Sequence, residues 1–287
     1  MTTFQKHKFG QPKYGSGGVQ HNKNISEKNF RKGKAGSWKE EMSPEVQRLF
    51  WRLHGDTMRQ MGYTNEAIDY SMEALRLVEK SKDTSAMGNI YNVIAGLNRS
   101  LGNYEKSLIY FDKALATLPA EMDPINHGIG LVNKAELLYI NLYDTIQAKK
   151  LLMQAESLID TTTITSGVIR LSKSVSTAFG NLYLAEGNWQ KALYYSNKTL
   201  ALSEMMQSQL DKSRALTGIS QALMLKGDLK GSKTKAIEAI EIAVDNNMLI
   251  EESAARSSLY LIYKKMGQDV LALENYERHI EIETQIK

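Results

Sequence analysis

Hydrophobic and small residues recur at a fixed interval along most of the chain. Each unit has a helix-like stretch, a turn, and a second helix-like stretch that opens on a small residue. Six residues occupy this opening position, at intervals of 40, 41, 44, 40 and 40 residues: Ala67, Ser107, Ala148, Ala192, Ser232 and Ala272. Because random helical sequence does not keep such a period, the pattern predicts six helix pairs that stack in register.

A second small residue follows seven positions later in most units. Two small residues seven apart lie on the same helical face, where they let a neighbouring helix approach closely. Four units carry Ala at this position and two carry a larger residue: Ala74, Ala114, Ala155, Ala239, Thr199 and His279. The pattern therefore predicts second helices that pack tightly against their neighbours.

The turn inside each pair has a signature of its own. Glycine readily adopts the left-handed backbone conformation that ends a helix. Five of the six turns carry Gly directly after the first helix: Gly62, Gly102, Gly187, Gly227 and Gly267. Tyr143 stands at this position in the third unit, so we expect that turn to be irregular.

The first unit carries the fullest signature of a known repeat: Trp51, Gly55, Gly62, Ala67, Tyr70 and Ala74. These residues, with Pro119 in the second unit, resemble the tetratricopeptide repeat family over about residues 44–287. The family's period is about 34 residues, and the longer interval here implies longer helices. The resemblance implies an all-α fold, a right-handed α-solenoid of about six helix pairs whose first helices line an open concave surface. A closed helical bundle is the alternative, and the regular register disfavours it.

Composition agrees with a helical, globular protein. Of the 287 residues, 42% are hydrophobic and 24% are charged, and only 4 are Pro. Cys is absent, which excludes a disulfide framework and a thiolate metal site. No apolar stretch reaches the roughly 18–20 residues of a membrane span, and the N-terminus carries no secretory signal. We therefore expect a cytoplasmic protein that does not enter a membrane.

Residues 1–43 depart from the repeat and form a separate irregular segment before the repeat domain of residues 44–287. They are rich in Gly, Asn, Lys and Gln and show no helical period. Residues 1–50 hold ten Lys or Arg against four Glu, whereas the rest of the chain holds 26 basic and 28 acidic residues. The basic segment could contact phosphate or remain a solvated tail. Because the main body is not basic, we expect no nucleic-acid partner.

One stretch of this segment is specific. FRKGKAGSWKEEMSPE (30–45) is similar to the C-terminal cofactor motif of cytosolic-type sulfotransferases, and the resemblance extends over about residues 1–63. It implies a site for 3′-phosphoadenylyl sulfate in which Arg31, Lys32 and Gly33 meet the 3′-phosphate and Trp38 packs behind them. Arg offers a planar fork of donors, and Gly exposes backbone N–H groups to an anion. Ser37 stands where many members of the family have Asp.

The remainder of a sulfotransferase is missing from the sequence. That family needs a phosphosulfate-binding loop, a catalytic His and a parallel sheet, and only 29 residues precede Phe30. We therefore expect no enzyme and no cofactor. The alternative is a fragment or remnant of a sulfotransferase fused to repeats, which would be inactive alone.

Other catalytic and metal motifs are also absent from the sequence. The five His make no H-E-x-x-H and no other pair at metal-ligand spacing. Neither a phosphate-binding G-x-x-x-x-G-K-[ST] nor a G-x-S-x-G occurs. We therefore expect no catalytic residue and no metal site, and the sequence favours a non-catalytic scaffold that binds a partner protein.

The resemblance also implies a partner groove on the first helices. Side-chain amides would hydrogen-bond the backbone of a bound peptide or helix, and Arg or Lys would receive a carboxylate. A narrower hypothesis makes the partner's segment acidic or C-terminal. The alternative is that these positions are ordinary exposed polar residues. The groove positions are Arg52, Arg59, Asn92, Arg99, Asn133, Asn181, Gln221 and Lys264.

Overall fold

The computed structural model describes residues 64–160 and 162–286, and this part of the chain is built from α-helices. The helices are α1 (Thr64–Ser81), α2 (Thr84–Ser100), α3 (Tyr104–Thr117), α4 (Pro124–Glu136), α5 (Thr145–Ser157), α6 (Ser166–Ala185), α7 (Trp189–Met205), α8 (Gln209–Lys226), α9 (Leu229–Asp245), α10 (Leu249–Lys265) and α11 (Asp269–Ile286). Even-numbered helices are first helices of the predicted pairs, and odd-numbered helices are second helices. The first helix of the first pair and the predicted boundary after residue 43 lie outside the described residues.

The helices stack as the repeat predicts. Each helix packs against the next one along the chain, and each first helix also packs against the first helix of the following pair. Second helices of successive pairs contact one another less. Because the first helices lie closer together, they form the inner, concave row of an α-solenoid. The predicted all-α solenoid of tetratricopeptide-like helix pairs is confirmed.

The small residues that open the second helices are the points of closest packing. All six are buried, with at most 5% of their surface exposed. Two of them are serines whose hydroxyls bond the facing first helix: Ser107 Oγ donates to Ala95 O at 2.8 Å, and Ser232 Oγ donates to Ser220 O at 2.7 Å. A hydroxyl at this position is thus as well accommodated as the Ala methyl group, because its hydrogen bond is satisfied inside the core.

The turns inside the pairs confirm the glycine signature. Four turn glycines have positive φ angles, between 70° and 90°: Gly102, Gly187, Gly227 and Gly267. Gly62 lies outside the described residues. Tyr143 adopts the same left-handed conformation, with φ 58°, and it is exposed. The third turn is irregular as expected, because α4 continues into a π-helical turn, Leu137–Asn141, before the chain reaches Tyr143.

Polar caps begin most of the helices. Their side chains accept hydrogen bonds from backbone N–H groups of the first turn, which have no partner inside the helix. The capping residues are Asp83, Asp123, Asp144, Thr165, Asn188, Ser208 and Asp228. These caps fix where seven of the described helices start.

The hydrophobic centre of the described region lies between α4 and α7. Leu152, Leu171 and Phe179 are almost completely buried there. The Phe179 ring stacks on Tyr195 of α7, with ring centroids 4.8 Å apart. An aromatic side chain on a second helix therefore fills the space between helices. Across residues 64–160 and 162–286, no helix combines the length and the hydrophobicity that crossing a membrane requires.

Candidate functional site

Polar contacts join each first helix to the first helix of the next pair, and we call this set the ladder. Most of its contacts join residues 37 or 38 positions apart, because the repeat places such residues side by side on neighbouring first helices. The ladder consists of Arg99 Nη1 to Glu136 Oε2 at 3.1 Å, Arg170 Nη2 to Asn126 Oδ1 at 3.0 Å, Lys173 Nζ to Asp211 Oδ2 at 2.9 Å, Arg214 Nη2 to Glu251 Oε1 at 2.6 Å, and Gln221 Nε2 to Ser258 Oγ at 3.0 Å.

The ladder neutralises charge on the concave face. Arg99, Lys173 and Arg214 each face a carboxylate of the following first helix. The Glu251 carboxylate is the most enclosed of these acids, with 7% of its side chain exposed. Removal of the cation beside a carboxylate at that depth would leave a buried charge without a partner. Over the described residues the concave face is thus polar, and Arg99, Lys173 and Arg214 already have partners on the neighbouring first helix.

A hollow of about 480 Å³ opens between α2, α4 and the π-helical turn. Three asparagines contribute to its wall, and we call it the asparagine hollow. Its lining residues are Asn92, Val93, Gly96, Arg99, Ser100, Phe111, Asn133 and Asn141. The structure therefore brings three of the predicted groove residues, Asn92, Arg99 and Asn133, to one place.

Two oxygens of the asparagine hollow are buried without a hydrogen-bond donor. Asn92 Oδ1 and Asn141 Oδ1 accept no hydrogen bond from the described part of the chain. The amide nitrogen of Asn141 donates to the Tyr104 hydroxyl at 3.3 Å, so only its oxygen lacks a partner. A buried polar group without a partner costs about 1–3 kcal/mol. Both oxygens have almost no accessible surface, so the open space of the hollow does not reach them.

Two glycines shape the hollow. A Cβ atom on Gly130 of α4 would lie 3.3 Å from Asn92 Nδ2 and 3.1 Å from Leu115 Cδ2, so Gly130 leaves room for the Asn92 amide. A Cβ atom on Gly96 would meet nothing within 4 Å, because it would point into open space. A larger residue at position 96 could therefore fill the hollow without displacing a neighbouring helix.

Tyr139 lies in the π-helical turn, close to the hollow. Burial raises the pKa of its hydroxyl well above the ordinary value, and the Glu136 carboxylate raises it further. The Asn181 amide and Arg99 act in the opposite direction. Tyr139 therefore stays protonated at neutral pH and contributes a phenol, not an anion, to this region.

The remaining predicted groove residues are placed differently. Gln221 belongs to the ladder, Asn181 is exposed on α6, and Lys264 is exposed on α10 with its Nζ 5.8 Å from the centroid of the Tyr260 ring. Six predicted residues lie outside the described residues: the groove residues Arg52 and Arg59, and the cofactor residues Arg31, Lys32, Gly33 and Trp38.

The sequence analysis missed Asn141 and the carboxylates of the ladder. Asn141 belongs to the third unit, whose interval to the next is 44 residues, so its place on the concave face did not follow from the common period. The carboxylates carried a signal, because Glu136, Asp211 and Glu251 each follow a cation by 37 or 38 residues. Among the residues that the structure describes, no group of three or more His, Cys, Asp or Glu side chains could hold a metal ion.

Comparison with known proteins supports the fold. A sequence model described as tetratricopeptide repeat matches residues 88–117, which span most of α2 and α3. No curated protein matches the sequence.

Several solved structures share the fold at low sequence identity. The apo form of RapI is 15% identical, with 92% of this chain and 89% of that chain covered and a TM-score of 0.64. BtubC from P. vanneervenii is 16% identical over 80% of this chain and 91% of that chain, with a TM-score of 0.57. The apo quorum sensor NprR from B. thuringiensis is 14% identical over 85% and 78%, with a TM-score of 0.55. None of these three is a sulfotransferase, and that resemblance stays a prediction.

Proposed function

We propose that this chain is a non-catalytic interaction module that holds a segment of another protein along the concave row of its first helices. The asparagine hollow is the anchoring point of that segment. The observation that carries the proposal is the hollow itself, which is lined by three of the predicted groove residues, Asn92, Arg99 and Asn133. Side-chain amides in such a place can hydrogen-bond the backbone of a bound segment.

Apolar side chains support a protein ligand. Val93 in the hollow, and Leu210, Ile250 and Leu261 on α8 and α10, expose between 38% and 44% of their surface on first helices. Alternating amide and apolar contacts suit an extended segment, whose backbone hydrogen-bonds while its side chains are buried. NprR, which shares the fold, is named as a quorum sensor. A sensing or recruiting role for this chain agrees with that name.

Because the ladder already pairs Arg99 with Glu136, recognition of an acidic segment of the partner is disfavoured. Arg99, which the narrower sequence hypothesis assigned to a carboxylate of the partner, already contacts Glu136 at 3.1 Å. A second carboxylate would have to share that guanidinium or displace Glu136. The proposal therefore requires neither an acidic segment nor a terminal carboxylate.

The experiment is a co-precipitation with the full chain from cells of its source. Gly96→Leu places a side chain in the hollow, and the structure shows no atom within 4 Å of the first atom added. We expect this variant to lose the partners that the unmodified chain retains. Asn197→Leu, an exposed position on the second helix α7, is the matched control and should retain them. Equal recovery with Gly96→Leu and the unmodified chain would contradict the proposal.

A further inference from the structure

The last described pair, α10 and α11, leaves one side of the stack uncovered, and we call this side the end face. The fourth residue after the opening residue of each second helix shows how this pair differs. This residue is at most 5% exposed in α3, α5, α7 and α9 but 43% exposed in α11: Phe111, Leu152, Ser196, Ala236 and Tyr276. For Ala236 the covering helix is α10, whose Leu259 and Ile262 belong to the same buried cluster. Tyr276 has no such cover within residues 64–160 and 162–286.

Within the described residues the ladder ends at α10. The first helix before it, α8, reaches α10 through two polar side chains, Arg214 and Gln221. Ala254 and Leu261 stand at the equivalent positions of α10, 40 residues later, and both are exposed. The end face is therefore apolar at the two positions where the preceding pair makes polar contacts with its neighbour.

Aromatic and branched side chains form an apolar centre on the end face. Leu261 of α10, and Tyr276 and Ile280 of α11, each expose 43% of their surface. Tyr260 of α10 lies beside Tyr276, with ring centroids 5.2 Å apart. Ile280 is the equivalent of Ile240, which packs against the buried cluster that α9 shares with α10. Because removal of apolar surface from water is favourable, this centre favours association with a matching surface.

Two opposite charges accompany the apolar centre. Lys264 of α10 and Glu277 of α11 are exposed, and they are the equivalents of Met224 and Ile237, which pack against the same buried cluster. These positions of the end face thus carry one cation and one anion. A two-fold axis can bring unlike charges of two identical faces together, so the face is complementary to a second copy of itself.

The size of the end face suits a weak association. α10 and α11 have 17 and 18 residues, so each is about 25 Å long. Two helices packed side by side span roughly 20 Å in width, which gives a face of about 500 Å². Stable specific interfaces bury about 600–1,000 Å² per copy, and smaller ones are transient. An association through the end face should therefore be reversible.

We propose that two copies of this chain associate weakly through their end faces, related by a two-fold axis. The apolar centres cover each other, and Lys264 of each copy meets Glu277 of the other. A second copy is the occupant because it supplies both an apolar centre of the same size and the matching charges. The asparagine hollow lies between α2 and α4, so the association leaves it open. The inference is independent of the proposed function.

Sedimentation equilibrium of the full chain, at concentrations from about 1 to 200 µM, measures this association. We expect the average mass to rise from the 32.3 kDa of one copy toward twice that value, with a dissociation constant on the order of 10–100 µM. Ile280→Lys places a charge in the apolar centre and should raise that constant about tenfold or more. Ile109→Lys, at a 54% exposed position on α3, is the matched control and should leave it unchanged.

Exchange of the two charges tests the two-fold arrangement. Lys264→Glu alone, or Glu277→Lys alone, brings like charges together and should raise the dissociation constant about threefold or more. The double variant restores unlike pairs and should recover the affinity of the unmodified chain, which a merely structural effect of either substitution would not do. Circular dichroism establishes that each variant keeps its helical content. Should Ile280→Lys unfold the chain, the charge variants decide alone.

Four outcomes would overturn the inference. A single copy at every concentration would show that the end face is bare or is covered by another part of the same chain. Equal association of Ile280→Lys and the unmodified chain would place the contact elsewhere, and so would failure of the double charge variant to recover. Growth beyond two copies would contradict a closed two-fold pair.

Discussion

At the scale of single residues, backbone conformation explains which positions of the repeat had to be glycine. Gly187 has φ 71° and no atom within 4 Å of where its Cβ would lie, so a side chain there meets only backbone strain. Gly96 has the same open surroundings but lies in the interior of α2. A substitution at position 187 therefore tests backbone strain in the folded state, whereas one at position 96 tests the conformational entropy that the chain loses on folding.

Alanine substitutions at these two glycines should have opposite effects. Gly187→Ala should lower the free energy of unfolding by about 1 kcal/mol, because the left-handed conformation is unfavourable for Ala. Gly96→Ala should raise it by about 0.5–1 kcal/mol, because Ala loses less entropy in a helix. Urea unfolding followed by circular dichroism measures both. A shift of the same sign in both variants would refute this account of the turns.

Tyr143 is the strained exception among the described turns inside the helix pairs, where the other turns carry Gly. It takes φ 58° although it carries a bulky side chain, and 85% of its surface is exposed. Tyr143→Gly should raise the free energy of unfolding by about 0.5–1 kcal/mol, the left-handed strain being larger than the entropy that Gly adds to the unfolded chain. Urea unfolding measures this change. Tyr194→Gly, in the helix α7, is the control, and it should lower the free energy of unfolding. No gain for Tyr143→Gly would mean that the side chain makes a compensating contact.

The sequence predicted some of the positions that require a small residue and missed others. The opening residues of the second helices and the turn glycines followed from the period, because small size and left-handed conformation each restrict the choice of residue. Gly128 on α4 was missed, although a Cβ there would lie 2.7 Å from Leu171 Cδ1. Such a close approach depends on how two distant helices are rotated against each other, which the spacing of residues along one helix does not specify.

At the scale of elements, the hydrogen bonds and ion pairs of the ladder join each first helix to the next one. Arg214 of α8 bonds Glu251 of α10 through two nitrogens, Nε at 2.9 Å and Nη2 at 2.6 Å. Glu251 is nearly buried, whereas half of the Arg214 side chain is exposed. The pair matters mainly because Glu251 cannot return to water when its partner is removed.

Removal of this cation should cost more than removal of a surface cation. Arg214→Met should lower the free energy of unfolding by about 1–3 kcal/mol, a value reduced from that of a fully buried pair because Arg214 is half exposed. Lys235→Met breaks the exposed Lys235–Glu238 pair and should change it by less than about 0.5 kcal/mol. Chemical denaturation of both variants provides the measurement. Equal losses in the two variants would contradict the role given to the ladder.

The elements themselves were predictable where the period was regular. The helix pairs from α2 to α11 fall where the interval of about 40 residues places them. The π-helical turn was foreseen only as an irregularity at Tyr143. Its structure, which brings Asn141 to the wall of the hollow, depends on a change of the backbone at the end of α4 that the pattern of side chains does not encode.

At the scale of the whole molecule, stability should vary along the solenoid. In a stacked array each pair depends mainly on its neighbours. The largest buried cluster joins α4 to α7, whereas α11 leaves Leu273, Tyr276 and Ile280 more than 40% exposed. The central pairs are therefore covered on both sides, and the last described helix on one.

Hydrogen exchange of the full chain, analysed by mass spectrometry, should follow this gradient. Amides of α6 and α7 should exchange slowest and those of α11 faster, since local opening costs least where fewest contacts are lost. Arg214→Met should speed exchange in α10 and α11 while leaving α4 and α5 unchanged. Uniform exchange across the described helices, or uniform acceleration in the variant, would show that the array opens as one unit.

The central claim is that the partner lies on the concave row, and site-specific photo-crosslinking tests it most directly. Benzoylphenylalanine would replace Val93, 44% exposed at the asparagine hollow, or Ile109, 54% exposed on the second helix α3. The account predicts that irradiation joins the co-precipitating partner to position 93 and not to position 109, and that Gly96→Leu removes the product. A crosslink formed from position 109 alone, or equally from both positions, would contradict it.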